Sequence, residues 1–474
     1  MPPSTKSLIP VALGLAFACA GVTWFWGFTV DDALITGRVA HQLASGHGYR
    51  FNSDGPVVDA VTPFGFAFLL VPFAAAGPIA AKLAAKWLGA LCWMLSAALL
   101  SRRLAQLSRR GTIVGLTLIA TTLPLATWAV AGMETGVVLG LATLGAFNGR
   151  ALGTIALGVA SAWRPELLPW VLSIGCGRAL HSDGSVEQRL RRAALAAVPL
   201  ILPFAAVATA RAWMFGAAYP LAALAKPADL ASGVRYALGA LALTGPAWTV
   251  LGLGSLRSLS SASRAYVISV AVHTLALVLV GGDWMPFHRL FVPVLPSLIY
   301  AGAELAQHEP VWKSSLRLAP PLFVFSQLLL LRGASARGVE FQRAELISEV
   351  RPMLRGAERI ATLDIGWVGA STNAHIVDLA GVTDASVARL PGGHTTKRLP
   401  DSFLESHDVD ALVLLVEQGS ELTWPDAKFA RGVEARVMSL TGAERFEPVG
   451  TVLLLGTRQA YVVARKKPER AQAD

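Results

Sequence analysis

Apolar side chains run unbroken over long stretches of the first 332 residues, whereas beyond residue 333 they shrink to short groups set between polar ones. A helix needs roughly 20 apolar residues to cross the hydrocarbon of a bilayer. Residues 7–30 form such a run behind Lys6, and further runs cover 79–100, 111–131, 134–148, 151–163, 165–176, 194–211, 236–254, 265–281, 289–305 and 317–331, eleven in all. A twelfth stretch, 61–76, is broken by Pro63, Pro72 and Gly77-Pro78 and reads as an interfacial or re-entrant piece. After residue 333 the pattern predicts one polar helix over 339–354 and short strands at 359–363, 411–416 and 460–464. The expected fold is mainly α: a polytopic helical membrane domain over 1–332, with a first outer loop at 30–78, then a small α/β domain over 333–474. Its charged end, from about 465, is expected to be disordered.

Composition sharpens this picture. The chain is 54% apolar and 15% charged, against about 45–50% and 25% in soluble domains. The first 332 residues carry 24 Lys and Arg against 12 Asp and Glu, and the rest 17 against 19, so the net charge of +10 belongs to the membrane region. Placing the N-terminus inside gathers Arg102, Arg103, Arg109, Arg110, Arg150, Arg178, Arg257, Arg264, Lys313 and Arg317 in cytoplasmic loops. The same choice sends eight of the twelve acids to the opposite face and, with eleven spans, puts the C-terminal domain outside the cell. Cys19, Cys92 and Cys176 all lie in apolar runs, which excludes a disulfide framework or CxxC site in the tail. No P-loop, GxGxxG, HExxH or GxSxG occurs, so ATP-driven and soluble-cofactor chemistry have no anchor. No cofactor, resident metal or nucleic-acid partner is expected.

The candidate chemistry lies at the outer ends of the helices. Asp31 and Asp32 open the first outer loop, followed by Arg38, His41, His47, Arg50, Asp54 and Asp59. Adjacent carboxylates in a partly desolvated pocket raise one pKa and create a proton acceptor; the bland alternative is a solvated helix end. Glu134, Arg164, Glu166, Asp283, His288 and Arg289 interrupt apolar sequence, where charge is expensive and marks either a site or a pair that merely ties helices together. Lys82 and Lys86, one turn apart, and Lys226 suit a lipid phosphate at the interface or simple snorkelling.

These residues fall in motifs that resemble the GT-C membrane glycosyltransferases, most closely their terminal arabinofuranosyltransferase-like branch. The resemblance rests on DDALITGRVAHQLASGHGYRFN at 31–52, GMET at 132–135, RPE at 164–166, FGAAYPLAALAK at 215–226, GGDWMPFHRLFVPVLP at 281–296, and DIGWVG and DLAGVTD at 364–369 and 378–384. It implies transfer of a sugar, of pentose type such as arabinofuranose in that branch, with inversion, from a polyprenyl phosphate to a cell-envelope glycan or lipid acceptor on the outer face of the plasma membrane. By the same resemblance Asp31 or Asp32 is the base and Lys86 and Arg289 meet the donor phosphate; Lys226 is a weaker phosphate candidate, and the one-sided clustering of Arg38, His47, Asp59, Glu134, Arg164, Glu166, Asp283 and His288 marks them as the pocket. The tail motifs offer Asp364, Trp367, Asp378 and Asp384 to acceptor sugar, or use them as caps and turns. Relatives tend to have Gly after GGDWMP, where this chain has Phe287. The rival reading is a non-catalytic, polysaccharide-binding or scaffolding membrane protein on the same fold.

Overall fold

The computed structural model describes residues 5–180, 183–226, 228–252, 255–454 and 456–467. The chain is mainly helical, with several apolar helices and a small C-terminal sheet. Its principal helices are α1 (Thr5–Trp24), α2 (Asp31–Ala44), α3 (Pro78–Leu104), α4 (Arg109–Thr121), α5 (Leu123–Ala129), α6 (Thr135–Phe147), α7 (Ala151–Trp163), α8 (Leu168–Leu180), α9 (Val186–Phe215), α10 (Leu230–Leu243), α11 (Ser261–Leu279), α12 (Leu295–His308) and α13 (Val311–Met353).

Local chemistry sets these limits. Pro78 begins α3 at the position where its missing N–H costs nothing. Ser185 and Gln188 close a capping box at the start of α9. Among the described residues five helical segments are long and apolar enough to cross a bilayer, or six if α4 and α5, bent by 50° at Thr122, count as one span. Of the eleven expected segments, the others are shorter: α6, α7 and α8 have 13 residues each, or about 20 Å of rise. Arg150 and Arg164-Pro165 separate them, at the breaks already present in the apolar pattern, because a charge and a proline each end a helix. The 61–76 stretch contains only the short turns Phe66–Leu70 and Val71–Phe73.

Arg103 and Arg178 lie together at one end of the bundle. There Arg103 donates to the carbonyl of Phe147, and Arg178 Nη1 to that of Gly145 at 2.9 Å, satisfying the free carbonyls at the end of α6. The first loop and the C-terminal domain lie at the other end of α3, 27 residues away.

The expected boundary near residue 333 falls inside a helix. α13 runs 43 residues without interruption from the apolar 317–331 stretch through the predicted polar helix. At about 1.5 Å per residue it reaches well beyond the hydrocarbon thickness. A charge cluster fixes it in place. Glu340 takes hydrogen bonds from both Lys82 and Lys86 (2.8 Å to Lys86), and Lys86 Nζ also donates to the carbonyls of Trp26 and Phe28 at 2.6 and 3.2 Å. Gly27 permits the approach: a Cβ there would stand 1.9 Å from the Arg337 carbonyl.

After α13 the chain builds a five-stranded mixed sheet from β1 (Arg359–Thr362), β2 (His375–Asp378), β3 (Ala411–Glu417), β4 (Phe446–Leu453) and β5 (Gln459–Lys466), in the order β2-β1-β3-β5-β4. β1 is parallel to β2 and β3, and β5 is antiparallel to β3 and β4. The helix α14 (Ile365–Ser371) connects β1 to β2. β2 and β4 were not legible in the pattern, since β2 has only four residues and β4 carries Pro448 and a register shift before Gly450. The predicted disorder from 465 is corrected at its start, because Arg465 and Lys466 pair with Glu447 and Phe446; residues 468–474 lie outside the described residues.

One core cluster unites Leu34, Val39, Tyr49 and Phe51 of the first loop region with Ile360, Trp367, Val413 and Val463 of the sheet domain. Loop and domain therefore fold as one body at the site end. Removing a single member of a buried ion cluster costs about 3–5 kcal/mol, because the partner charge is left uncompensated. Glu340→Gln is therefore expected to lower the temperature at which the detergent-solubilised protein loses its fold, relative to Glu349→Gln on the exposed face of α13, with thermal unfolding as the check.

Candidate functional site

At this end of the bundle a cavity of about 380 Å³ is lined by charged side chains from several elements: Asp32 of α2, Glu134, Arg164, Glu166, Lys226, Asp283 and Arg289. Arg289 is its pivot. Its Nη1 stands 3.8 Å from Asp32 Oδ2, its Nε donates to Asp283 Oδ2, and its guanidinium lies 6.0 Å from the centroid of the Trp128 ring. Arg164 forms a second node, 2.7 Å from Glu134 and 3.5 Å from Glu166, and donates to Thr135 Oγ1 at 3.2 Å. Burial pushes the Asp283 carboxyl up, but Arg289, Lys226 and Arg164 outweigh it and hold the group below the usual carboxylate range. Lys226 has no ion-pair partner within 4.0 Å among the described residues, so its charge is left for whatever enters.

The two neighbouring aspartates divide their work. α2 starts directly after the extended Val30, and consecutive helical residues point about 100° apart. Asp32 therefore faces the cavity with 30% of its side chain exposed, while Asp31 turns into the C-terminal domain. The Asp31 carboxylate accepts from the backbone N–H groups of Gly366 and Trp367, both at 2.8 Å, in the first turn of α14. A helix N-terminus favours negative charge. Any Cβ on Gly366 would fall 2.2 Å from the Asp31 carbonyl oxygen, so the glycine of DIGWVG is a condition of the contact. Burial pushes the Asp31 carboxyl upward against the pull of Arg343 and these two N–H groups, and the nearby Asp364 adds to the rise.

Several predicted site residues lie elsewhere. Lys86 is buried in the Glu340 cluster and does not line the cavity, which corrects the expectation that it meets a donor phosphate; the need of Glu340 for a cation across 254 residues was invisible in sequence. Arg38 is buried and donates to the carbonyls of Phe51 (2.9 Å), Gly369, Thr372 (3.0 Å) and Ala374 (2.9 Å), stitching α2 to the sheet domain. His47 is exposed in the turn after α2 and also lies off the cavity. Asp59 pairs with Arg211 at 3.1 Å, and burial pushes its carboxyl up to about 6 against that pull. It acts on the cavity indirectly, by fixing the neighbouring wall Ala60, Val61, Thr62 and Pro63. His288 lines an adjoining cavity and not this one.

Of the two readings of the four tail residues, the structure places them in scaffold contacts, with Asp378 and Asp384 in the turn and cap roles. Trp367 is fully buried against Tyr461, with ring centroids 4.8 Å apart. Asp364 bonds Arg431 at 2.7 Å and the hydroxyl of Tyr461 at 2.6 Å. Asp378 accepts from the N–H groups of Ala380 and Thr383, and Asp384 caps a short helical turn through Ser386 and Val387. The sheet domain instead sends Val382, from the loop between those two aspartates, to the cavity wall. Tyr219 and Met133, which lie within the FGAAYPLAALAK and GMET stretches but were not singled out, also line the wall.

Phe287 and His288 both hold left-handed backbone, with φ of 56° and 49°. Glycine would adopt this conformation without strain. Non-glycine residues held there cost about 1–3 kcal/mol each and gather at functional sites.

Among known families, residues 335–464 match the model of a domain of unknown function, DUF8728. That match covers the second half of α13 and the sheet domain. No curated protein and no solved structure matches the chain.

The Asp31 contact gives a direct test. Asn in place of Asp31 presents an NH₂ donor to one of two backbone donors, and an unsatisfied buried donor costs about 1–3 kcal/mol. Asp31→Asn is expected to make the junction between bundle and sheet domain more susceptible to limited proteolysis, while Asp32→Asn leaves the proteolytic pattern unchanged.

Proposed function

We propose that this protein is an inverting glycosyltransferase of GT-C type, moving a sugar from a polyprenyl-phosphate donor to a cell-envelope glycan or lipid acceptor at the outer face of the plasma membrane. The observation that carries the reading is the meeting of Asp32, Arg289 and Lys226 in one cavity at the end of an apolar bundle. A polyprenyl-linked sugar cannot leave the bilayer, so its anomeric carbon must be met at that boundary.

Asp32 is the proposed base, and Asp31 is assigned to structure. Asp32 is partly open to the cavity and lies 3.8 Å from the Arg289 guanidinium. It accepts the proton of the acceptor hydroxyl as the oxygen attacks the anomeric carbon from the side opposite the phosphate. The bond from anomeric carbon to phosphate oxygen breaks, and polyprenyl phosphate leaves with the bonding electrons. Arg289 and Lys226 meet the charge that develops on it. Glu134, Arg164 and Glu166 keep the opposite wall polar and fixed, placed to bind sugar hydroxyls. Two cationic side chains suffice for one phosphate leaving group, so no divalent metal is required.

Replacing the base is expected to cost about 100-fold or more in rate. Asp32→Asn, reconstituted in nanodiscs with a polyprenyl-phosphate sugar, should lose transfer by that factor and keep its thermal stability; full retention of transfer would end the assignment. Binding of glycan with no donor turnover by the native protein would favour the scaffolding alternative. Transfer is also expected to persist undiminished in chelator, and strict metal dependence would contradict the charge argument. Mass spectrometry of copurified lipids is expected to find a polyprenyl-phosphate sugar.

A further inference from the structure

A second cavity, of about 550 Å³, adjoins the first and shares Lys226, Gly282 and Asp283 with it. The strained pair Phe287–His288 turns the chain between them, so that one loop sends Arg289 into the first cavity and Trp284 into the second. Trp284 is 64% exposed. Other exposed tryptophans, such as Trp87, Trp213 and Trp312, sit on apolar helices, where an outward indole is an ordinary membrane anchor. Trp284 lies outside the helices that can span a bilayer and faces a cavity whose other walls include Arg235, Ser232 and Asp283. One side of its ring meets His394 of the sheet domain, with centroids 6.3 Å apart and planes 26° from parallel, and most of the indole stays open. Burial and the nearby Lys226 hold the His394 imidazole down, at about 4, so it is neutral at physiological pH and adds no positive charge.

An open aromatic face beside hydrogen-bonding side chains matches the two surfaces of a pyranose or furanose ring: its C–H face packs on the indole and its hydroxyls meet the polar groups. We propose that the Trp284–His394 cavity is a saccharide subsite holding the sugar of the acceptor next to the one that receives the transferred residue. Its role in transfer rests on the glycosyltransferase reading, whereas its affinity for saccharide does not. Continuity with the first cavity at Lys226 and Asp283 lets one glycan chain occupy both. The carbohydrate contact expected from Trp367 is thus made by an indole that the fold leaves open.

Isothermal titration of the full-length protein in nanodiscs with soluble arabino-, galacto- and manno-oligosaccharides tests this, with wild type, Trp284→Ala, Trp284→Phe and His394→Ala compared. At least one series is expected to bind wild type, to weaken about tenfold in Trp284→Ala, and to be largely restored in Trp284→Phe, which keeps a stacking face. Equal binding by wild type and Trp284→Ala would overturn the subsite, as would failure of all three series to bind wild type. Donor turnover by wild type is scored separately. Turnover without Trp284-dependent binding removes the subsite and leaves the proposed reaction standing; Trp284-dependent binding without turnover keeps the subsite and removes the reaction.

Discussion

Charge placed in a low-dielectric wall must be met by opposite charge, and that requirement shapes the site end of this protein. A carboxylate or ammonium without a partner there costs several kcal/mol. Arg289 between Asp32 and Asp283, Arg164 between Glu134 and Glu166, Arg211 against Asp59, and Glu340 between Lys82 and Lys86 are four solutions to the same problem. They join segments far apart in sequence. Each cluster therefore also determines which helices meet, and the cavity is what remains between them.

Two of the clusters serve architecture and two serve the cavity. The Glu340 pair fixes the long helix α13 against the exit of α1, and helical continuity then carries the sheet domain to the first loop. Asp31 completes this junction by binding the N-terminus of α14. Asp32, one residue on, is left facing the Arg289 node because helical geometry sends adjacent side chains in different directions. An interdomain contact and a cavity-facing carboxylate thus come from the same dipeptide.

Much of this was legible along the chain. The segregation of apolar and charged residues gives a region of apolar helices followed by a small α/β domain, and the acids and arginines set in apolar sequence mark residues that line the cavity: Glu134, Arg164, Glu166, Asp283 and Arg289. Charge inside apolar sequence is a strong signal because its energetic penalty is large wherever the chain folds. The helix limits between Thr135 and Trp163 follow the breaks in the apolar pattern, whereas the boundary expected near residue 333 does not, because one helix runs through it.

The amino-acid order by itself determined the class of fold, the end of the bundle that carries the acids, and the short list of side chains from which a site must be drawn, because hydrophobic burial and charge penalties act on every residue regardless of its neighbours. Only the tertiary structure decided which of those side chains face each other. It gave Asp32 to the cavity and Asp31 to the scaffold, withdrew Lys86 into a pair with Glu340, buried Trp367 and left Trp284 open. Partner choice depends on contacts across as many as 336 residues. No local pattern encodes such distances.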